Sequence, residues 1–247
     1  MKSRMLWVVF AMALTSACAS LPTGYEKTAT AALTHTEDTS LGKAVAGWTA
    51  SQNGQSGFYP LPAGLDALGA RLALIDKAER SIDVQYFLIK NDSAGLIFAA
   101  KLVEAADRGV RVRFLLDDVF TTVDDQVLLA LDDHPNIEIR LFNPVASRTF
   151  RGLGMLTDFS RVNRRMHNKA FVADNQRAVL GGRNIADEYF DASGDLAFAD
   201  LDVLTMGPAV ADVSEAFETY WNAPDSVPIG WTDGHGREPD STASLMD

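Results

Sequence analysis

Met166-His167-Asn168-Lys169-Ala170-Phe171-Val172-Ala173-Asp174, followed after six residues by Gly181-Gly182-Arg183-Asn184, is the stretch from which the architecture can be read. Met166 to Val172 reads as a strand, on which residues two apart share a face. His167 and Lys169 are therefore expected to point the same way, with Asn168 and Ala170 on the opposite side. Ala178-Val179-Leu180 reads as a short neighbouring strand that stops at the glycine pair. Glycine lets backbone approach a bound group closely, and Asn184 is expected at the start of the next helix.

Upstream, Leu65, Leu68, Leu72 and Ile75 recur at helical spacing, which predicts an amphipathic helix over 62–79. Ile82, Val84 and Tyr86 alternate as a strand, and Ser93 reads as an N-cap before a helix that closes at Arg108-Gly109. Val110 to Leu116 is a nearly continuous apolar strand ending in Asp117-Asp118. A helix over 123–132 and a strand from Ile137 to Phe142 follow. Strand, helix, strand, helix, strand is the rhythm of an α/β fold: a mixed sheet flanked by helices. A final helix, Val210 to Trp221, ends the unit.

The rhythm breaks from Ser147 to Arg165, where Arg148, Arg151, Arg161, Arg164 and Arg165 face only Asp158. In a chain with 22 Lys+Arg against 33 Asp+Glu and a net charge of −11, this is a local exception. It is either a solvated loop paired with surface acids or an anion-attracting rim beside a site.

The His, Lys and Asn set suits phosphoryl transfer. An imidazole can attack phosphorus and leave a phosphohistidine, splitting one displacement into two. A lysine ammonium neutralises the non-bridging oxygens, and an asparagine amide and backbone N–H groups add donors without adding charge. This chemistry needs no metal and no cofactor.

The spacing H-x-K-x4-D-x6-G-G-x-N resembles the phospholipase D superfamily, and the longer string through Asn184-Ile-Ala-Asp-Glu-Tyr-Phe190 looks particularly like bacterial cardiolipin synthases. The likeness covers about Phe58 to Trp221. It implies that His167 is the nucleophile or the acid/base histidine, and that Lys169, Gly182 and Asn184 bind substrate phosphate. Asp174 belongs to the motif and is expected to orient the local structure. A carboxylate at the start of the following strand usually supports the partner histidine; Asp202 is the first choice, and Asp200 the second. Many members of the superfamily have Gly-Ser where this chain has Gly181-Gly182, so a hydroxyl contact to phosphate is missing here.

Members of that superfamily use two such motifs. None of the other histidines, His35, His134 and His235, is followed by Lys at the required spacing, so one repeat is present. One imidazole attacks while another protonates the leaving alcohol, a division that a single group performs poorly. A homodimer, a complementary second repeat, or a silent half that only binds phosphate or a partner would each account for this.

Lys2 and Arg4 precede ten apolar residues, Met5 to Leu14, too few to span a bilayer, which needs about 20. They read as a secretory signal over 1–17. Leu14-Thr-Ser-Ala-Cys18 resembles a bacterial lipoprotein processing site, with the favoured leucine one place early. Cys18, the only cysteine, would then be the lipidated first residue of the mature chain, and Ala19 after it implies the outer membrane, facing the periplasm. Residues 18–57, rich in Thr, Ser, Ala and Gly, read as a flexible tether, 58–222 as the phosphodiesterase domain, and 223–247 as a disordered tail or the start of a second repeat.

The resulting expectation is a phospholipid phosphodiesterase or phosphatidyltransferase, anchored to the membrane and acting on anionic phospholipid. The alternative is a homodimeric nuclease of the same superfamily. The net charge of −11 counts against nucleic acid, whose binding rests on many phosphate contacts.

Overall fold

The computed structural model describes residues 25, 27–145, 159–193 and 198–232. The signal segment, Cys18, Arg148, Arg151, Asp158 and 233–247 lie outside them.

An eight-stranded sheet has the order β1-β7-β6-β5-β2-β3-β4-β8. Its centre is β2 (Ser81–Tyr86), β3 (Arg111–Asp117) and β4 (Ile137–Phe142), paired in parallel. On one flank β5 (Ala170–Ala173), β6 (Arg177–Gly181), β7 (Asp202–Met206) and β1 (Gly57–Leu61) are antiparallel, and on the other β8 (Ser226–Pro228) pairs antiparallel with β4. The end at which β2, β3 and β4 finish is called upper below.

Helices α2 (Gly64–Lys77), α3 (Ser93–Asp107) and α4 (Asp125–Asp132) cover one face, following α1 (Ser40–Ser51) in the chain. Their apolar sides meet Ile82, Val84, Val112, Phe114, Ile139, Phe171 and Val179 in the main core. The opposite face lies under α6 (Ala209–Trp221), where Leu115, Met166, Phe217 and Trp221 cluster. A single turn, α5 (Phe159–Val162), precedes β5.

The α/β reading and the mixed sheet hold, and the strand over 137–142 has the expected bounds. Details differ for physical reasons. Asp92, not Ser93, caps α3, because its carboxylate accepts the Gly95 N–H at 3.0 Å. Gly109 closes that helix as expected, at φ +90°, a conformation in which a Cβ is strained. The regular strand expected over 166–172 spans only Ala170–Ala173, so His167 and Lys169 sit in the segment entering it.

The tether is the largest correction. Residues 40–51 form α1, Gly57–Leu61 forms an edge strand, and 27–36 pack along the α6 face. The first ten residues of the expected tail, 223–232, are ordered into the fold. Ser226–Pro228 completes the sheet, and Ile229–Trp231 forms a 3-10 turn that buries Ile229.

Asp174, at the lower end of β5, faces away from His167. Its carboxylate accepts the backbone N–H groups of Glu79, Arg80 and Ser81 at 2.8–3.2 Å, fixing the link from α2 into β2. Asp174 was also counted with the catalytic residues of the motif; these contacts place it at the opposite end of β5 from His167, holding the fold. Asp174→Ala would leave buried donors without an acceptor, and a loss of about 1–3 kcal/mol in denaturant unfolding is expected, with His167 chemistry per folded molecule unchanged.

Candidate active site

His167, Lys169 and Phe87 converge at the upper end, where the parallel strands finish. In open α/β sheets this edge forms ligand crevices. Antiparallel pairing of Gln85 with Ala170 carries the register upward until Phe87, just past β2, stands opposite the His167 segment. The Phe87 and His167 rings lie 4.7 Å apart, centroid to centroid, and the Lys169 ammonium is 4.9 Å from the Phe87 ring. Both side chains approach Phe87, but the strict alternation expected over 167–170 does not hold: Asn168, Lys169 and Ala170 together line an open cavity of about 380 Å³ toward α6, with Gln85, Gly181 and Asp212.

His167 is exposed, whereas Lys169 is buried and donates to the His167 carbonyl at 2.7 Å. That bond fixes the loop carrying the imidazole. Desolvation first, and the neighbouring Lys169 charge second, hold His167 below the ordinary imidazole value. Burial pushes the Lys169 ammonium down to about 8, against the opposing pull of Asp200 and Asp117. A reaction that uses neutral His167 and charged Lys169 therefore has two limbs. His167 loses its free lone pair as pH falls below its lowered value, and Lys169 loses its charge as pH rises through about 8. A bell-shaped kcat/KM profile is expected, with the alkaline limb near 8 and absent in Lys169→Arg, since an arginine stays charged.

Two residues that sequence reasoning left without a role position this segment. Phe87 provides the platform. Asp117, at the end of β3, is fully buried and accepts the Met166 N–H at 2.9 Å while pairing with Arg165 at 3.0 Å. Burial raises its pKa, and Arg165 opposes that rise. Next to it, Asp118 accepts the Val145 N–H at 2.8 Å. The available signal was an acidic pair at the carboxyl end of a parallel strand.

Two arginines of the arginine-rich loop are held inside the protein. Arg165 donates to Asp117 and to the Asn143 carbonyl, and Arg161 to Asn143 and the Pro144 carbonyl. Both are internal ties, while Arg164 is exposed.

The remaining expected site residues separate into two groups. Asn184 is not at a helix start; a 3-10 turn begins only at Asp187. Its side chain accepts the Leu88 N–H at 3.3 Å and donates to the Tyr189 hydroxyl at 2.9 Å, so it braces the loop that carries Phe87. At Gly182 a Cβ would stand 2.2 Å from both Asp200 carboxylate oxygens, so a protein neighbour by itself requires glycine there. Gly181 likewise lies against Asp202, its register partner across β6 and β7.

Asp202 is turned into the core. Its carboxylate lies 2.9 Å from Arg71 and 3.7 Å from Arg183, all of them buried. The first choice thus sits in a buried ion pair rather than beside Lys169, where the charge of the second choice is felt. Asp200 is half-buried above Gly182, and its charge acts on Lys169.

Residues 72–221 match the family model described as "Cardiolipin synthase, PLD-like domain". Over 189 residues, 76% of this chain, it is 48% identical to cardiolipin synthase C of Escherichia coli strain K12, of which it covers 40%. Among solved structures, NucT from Helicobacter pylori aligns over 70% of this chain and 98% of its own, with a TM-score of 0.52 and 16% identity. Phosphatidylserine synthase from Haemophilus influenzae Rd KW20 aligns over 72% of this chain and 41% of its own, with a TM-score of 0.53 and 14% identity. These two share the fold.

Proposed function

The chain belongs to the phospholipase D superfamily, within its cardiolipin synthase-like domain family, and we propose that it supplies one half of a phosphatidyltransferase site for anionic phospholipid. The observation that carries this reading is the pairing of an exposed imidazole with a buried ammonium fixed to its backbone, His167 over Lys169.

His167 attacks the phosphodiester of phosphatidylglycerol. The nitrogen–phosphorus bond forms as the phosphorus–oxygen bond to the glycerol headgroup breaks, and that oxygen takes a proton from an acid of a second motif. The hydroxyl of another phosphatidylglycerol then forms a phosphorus–oxygen bond as the nitrogen–phosphorus bond breaks. Its proton returns to the same group, and His167 is restored. Lys169 holds the non-bridging oxygens, with Asp200 offsetting its desolvation. Water in place of the second alcohol gives hydrolysis.

A second copy or a complementary repeat provides the acid, and an acyl group on Cys18 holds the protein at the periplasmic side of the outer membrane. Purified full-length chain, acylated and reconstituted with phosphatidylglycerol, tests the reading through its lipid products. Cardiolipin or phosphatidic acid is expected, with plasmid DNA left intact. Unchanged lipid together with cleaved DNA would replace this reading with the nuclease.

A further inference from the structure

Residues 27–36 form a strap across the α6 face, and its course is fixed by side chains from beneath. The Tyr25 hydroxyl donates to the Pro224 carbonyl at 2.8 Å, and Lys27 donates to the carbonyls of Ala223 and Ser226. Arg140, Arg113 and Arg111 then donate in turn to the carbonyls of Thr28, Thr30 and Ala31 at 2.8–3.0 Å. Thr36 finally reaches the Asp174 carbonyl. Ser226 pairs with Phe142, the last residue of β4, so Tyr25 stands at the upper corner, whereas Arg111 and Asp174 lie at the lower end. The strap descends along the sheet, and the chain enters it from the end that carries His167.

A separate observation concerns the same end. Nine large apolar side chains are exposed among the described residues, and all but Phe58 and Tyr59 lie at the upper end. Leu65, Leu96 and Ile97 occupy the first turns of α2 and α3, Phe120 follows β3, and Leu201 precedes β7. Scattered apolar side chains are ordinary on a monomer, whereas their collection at one end marks an interaction surface. Several acids share this end. Asp92 and Asp124 cap α3 and α4, and Asp191 and Asp187 accept the Gly64 and Ala94 N–H groups at the starts of α2 and α3. Glu188 pairs with Lys90, and Asp66 beside Leu65 is exposed in the first turn of α2, where the helix N-terminus offsets its charge.

We propose that this apolar rim rests on the bilayer that holds the acyl group of Cys18, with the folded strap setting the distance. The proposal rests on the reading that Cys18 is acylated. Seven residue steps separate Cys18 from Tyr25, a reach of at most about 25 Å, whereas a free tether to residue 57 would reach about 130 Å. The short reach keeps the domain at the headgroups, and the rim turns the His167 end toward them.

The test uses the acylated full chain, in which Cys18 is blocked and no other cysteine exists. Phe120→Cys, Leu201→Cys and, at the lower end of α2, Lys77→Cys each carry a fluorophore in vesicles of phosphatidylethanolamine and phosphatidylglycerol containing acyl-chain nitroxide lipid. Quenching of about twofold or more is expected at 120 and 201 and none at 77, since interfacial apolar groups enter the acyl boundary. Equal quenching at all three sites would overturn the proposal. So would shielding of 120 and 201 without lipid quenching but with energy transfer between copies, which would assign the rim to protein pairing. Mass spectrometry showing an unmodified Cys18 would remove the anchor reading and this proposal together. Acylated protein with equal quenching would remove this proposal alone.

Discussion

Replacement of His167 by alanine is expected to lower phosphatidyl transfer by about three orders of magnitude or more while leaving the fold intact. The imidazole is exposed, and its recorded ring contact is with Phe87, so its removal takes little from the core. In the proposed mechanism its loss removes the group that accepts phosphorus. Circular dichroism and the unfolding midpoint should match those of the unmodified chain. Phe87→Leu separates support from chemistry, since it removes the aromatic platform while keeping the nucleophile. A smaller fall in rate with an unchanged alkaline limb is expected there. A His167→Ala protein that retained full turnover would show that another group attacks phosphorus.

The second large effect is on stability and lies at Asp202. Asp202→Ala is expected to cost about 3–5 kcal/mol, because it leaves two buried arginines without their carboxylate. Arg71 is fully buried, with its Nε donating to the Tyr86 hydroxyl at 2.7 Å, and Asp202 is the acid within 2.9 Å of its other end. Denaturant unfolding should show a lower midpoint with an unchanged slope. Asp200→Asn provides the contrast. Its carboxylate stands at the surface of the site, so turnover should fall with little change in midpoint. A reversed pattern, with 202 affecting rate alone and 200 affecting stability, would return Asp202 to the site.

These two aspartates show how far the amino-acid sequence can be read. The short apolar runs at Ile82–Tyr86, Val110–Leu116 and 137–142 identified the central strands, but not that both faces are covered: Asp83, Gln85 and Arg113, on the side read as polar, are buried as well. His167 and Lys169 were legible from the H-x-K-x4-D spacing rather than from a strand period, since the regular strand starts only at Ala170. Asp200-Leu201-Asp202 was not legible, since its two acids sit two residues apart at a strand entrance. Which one turns inward depends on Arg71, more than a hundred residues away. The protein neighbours of Asn184 and Gly182 were not legible either, as Leu88 and Asp200 come from other parts of the chain.

The strap had no apolar signature at all. Thr28, Thr30 and Ala31 contribute backbone carbonyls to Arg140, Arg113 and Arg111, and carbonyls are the same in every sequence. The arginines beneath it carried the information in an indirect form. Arg113 is buried in the middle of a strand, forms a two-bond pair with Asp83 at 2.7 Å, and lies 4.9 Å from the Phe217 ring. A buried strand arginine needs a cover, and here the cover is residues 27–36.

The central claim is that His167 carries the phosphatidyl group between donor and acceptor. Full-length chain mixed with phosphatidylglycerol labelled at phosphorus, stopped in alkali to preserve phosphohistidine, and analysed by peptide mass spectrometry tests it most directly. Label on the peptide bearing His167, appearing before product and missing in His167→Asn, is the expected result. Full lipid turnover with no label on His167 would contradict it.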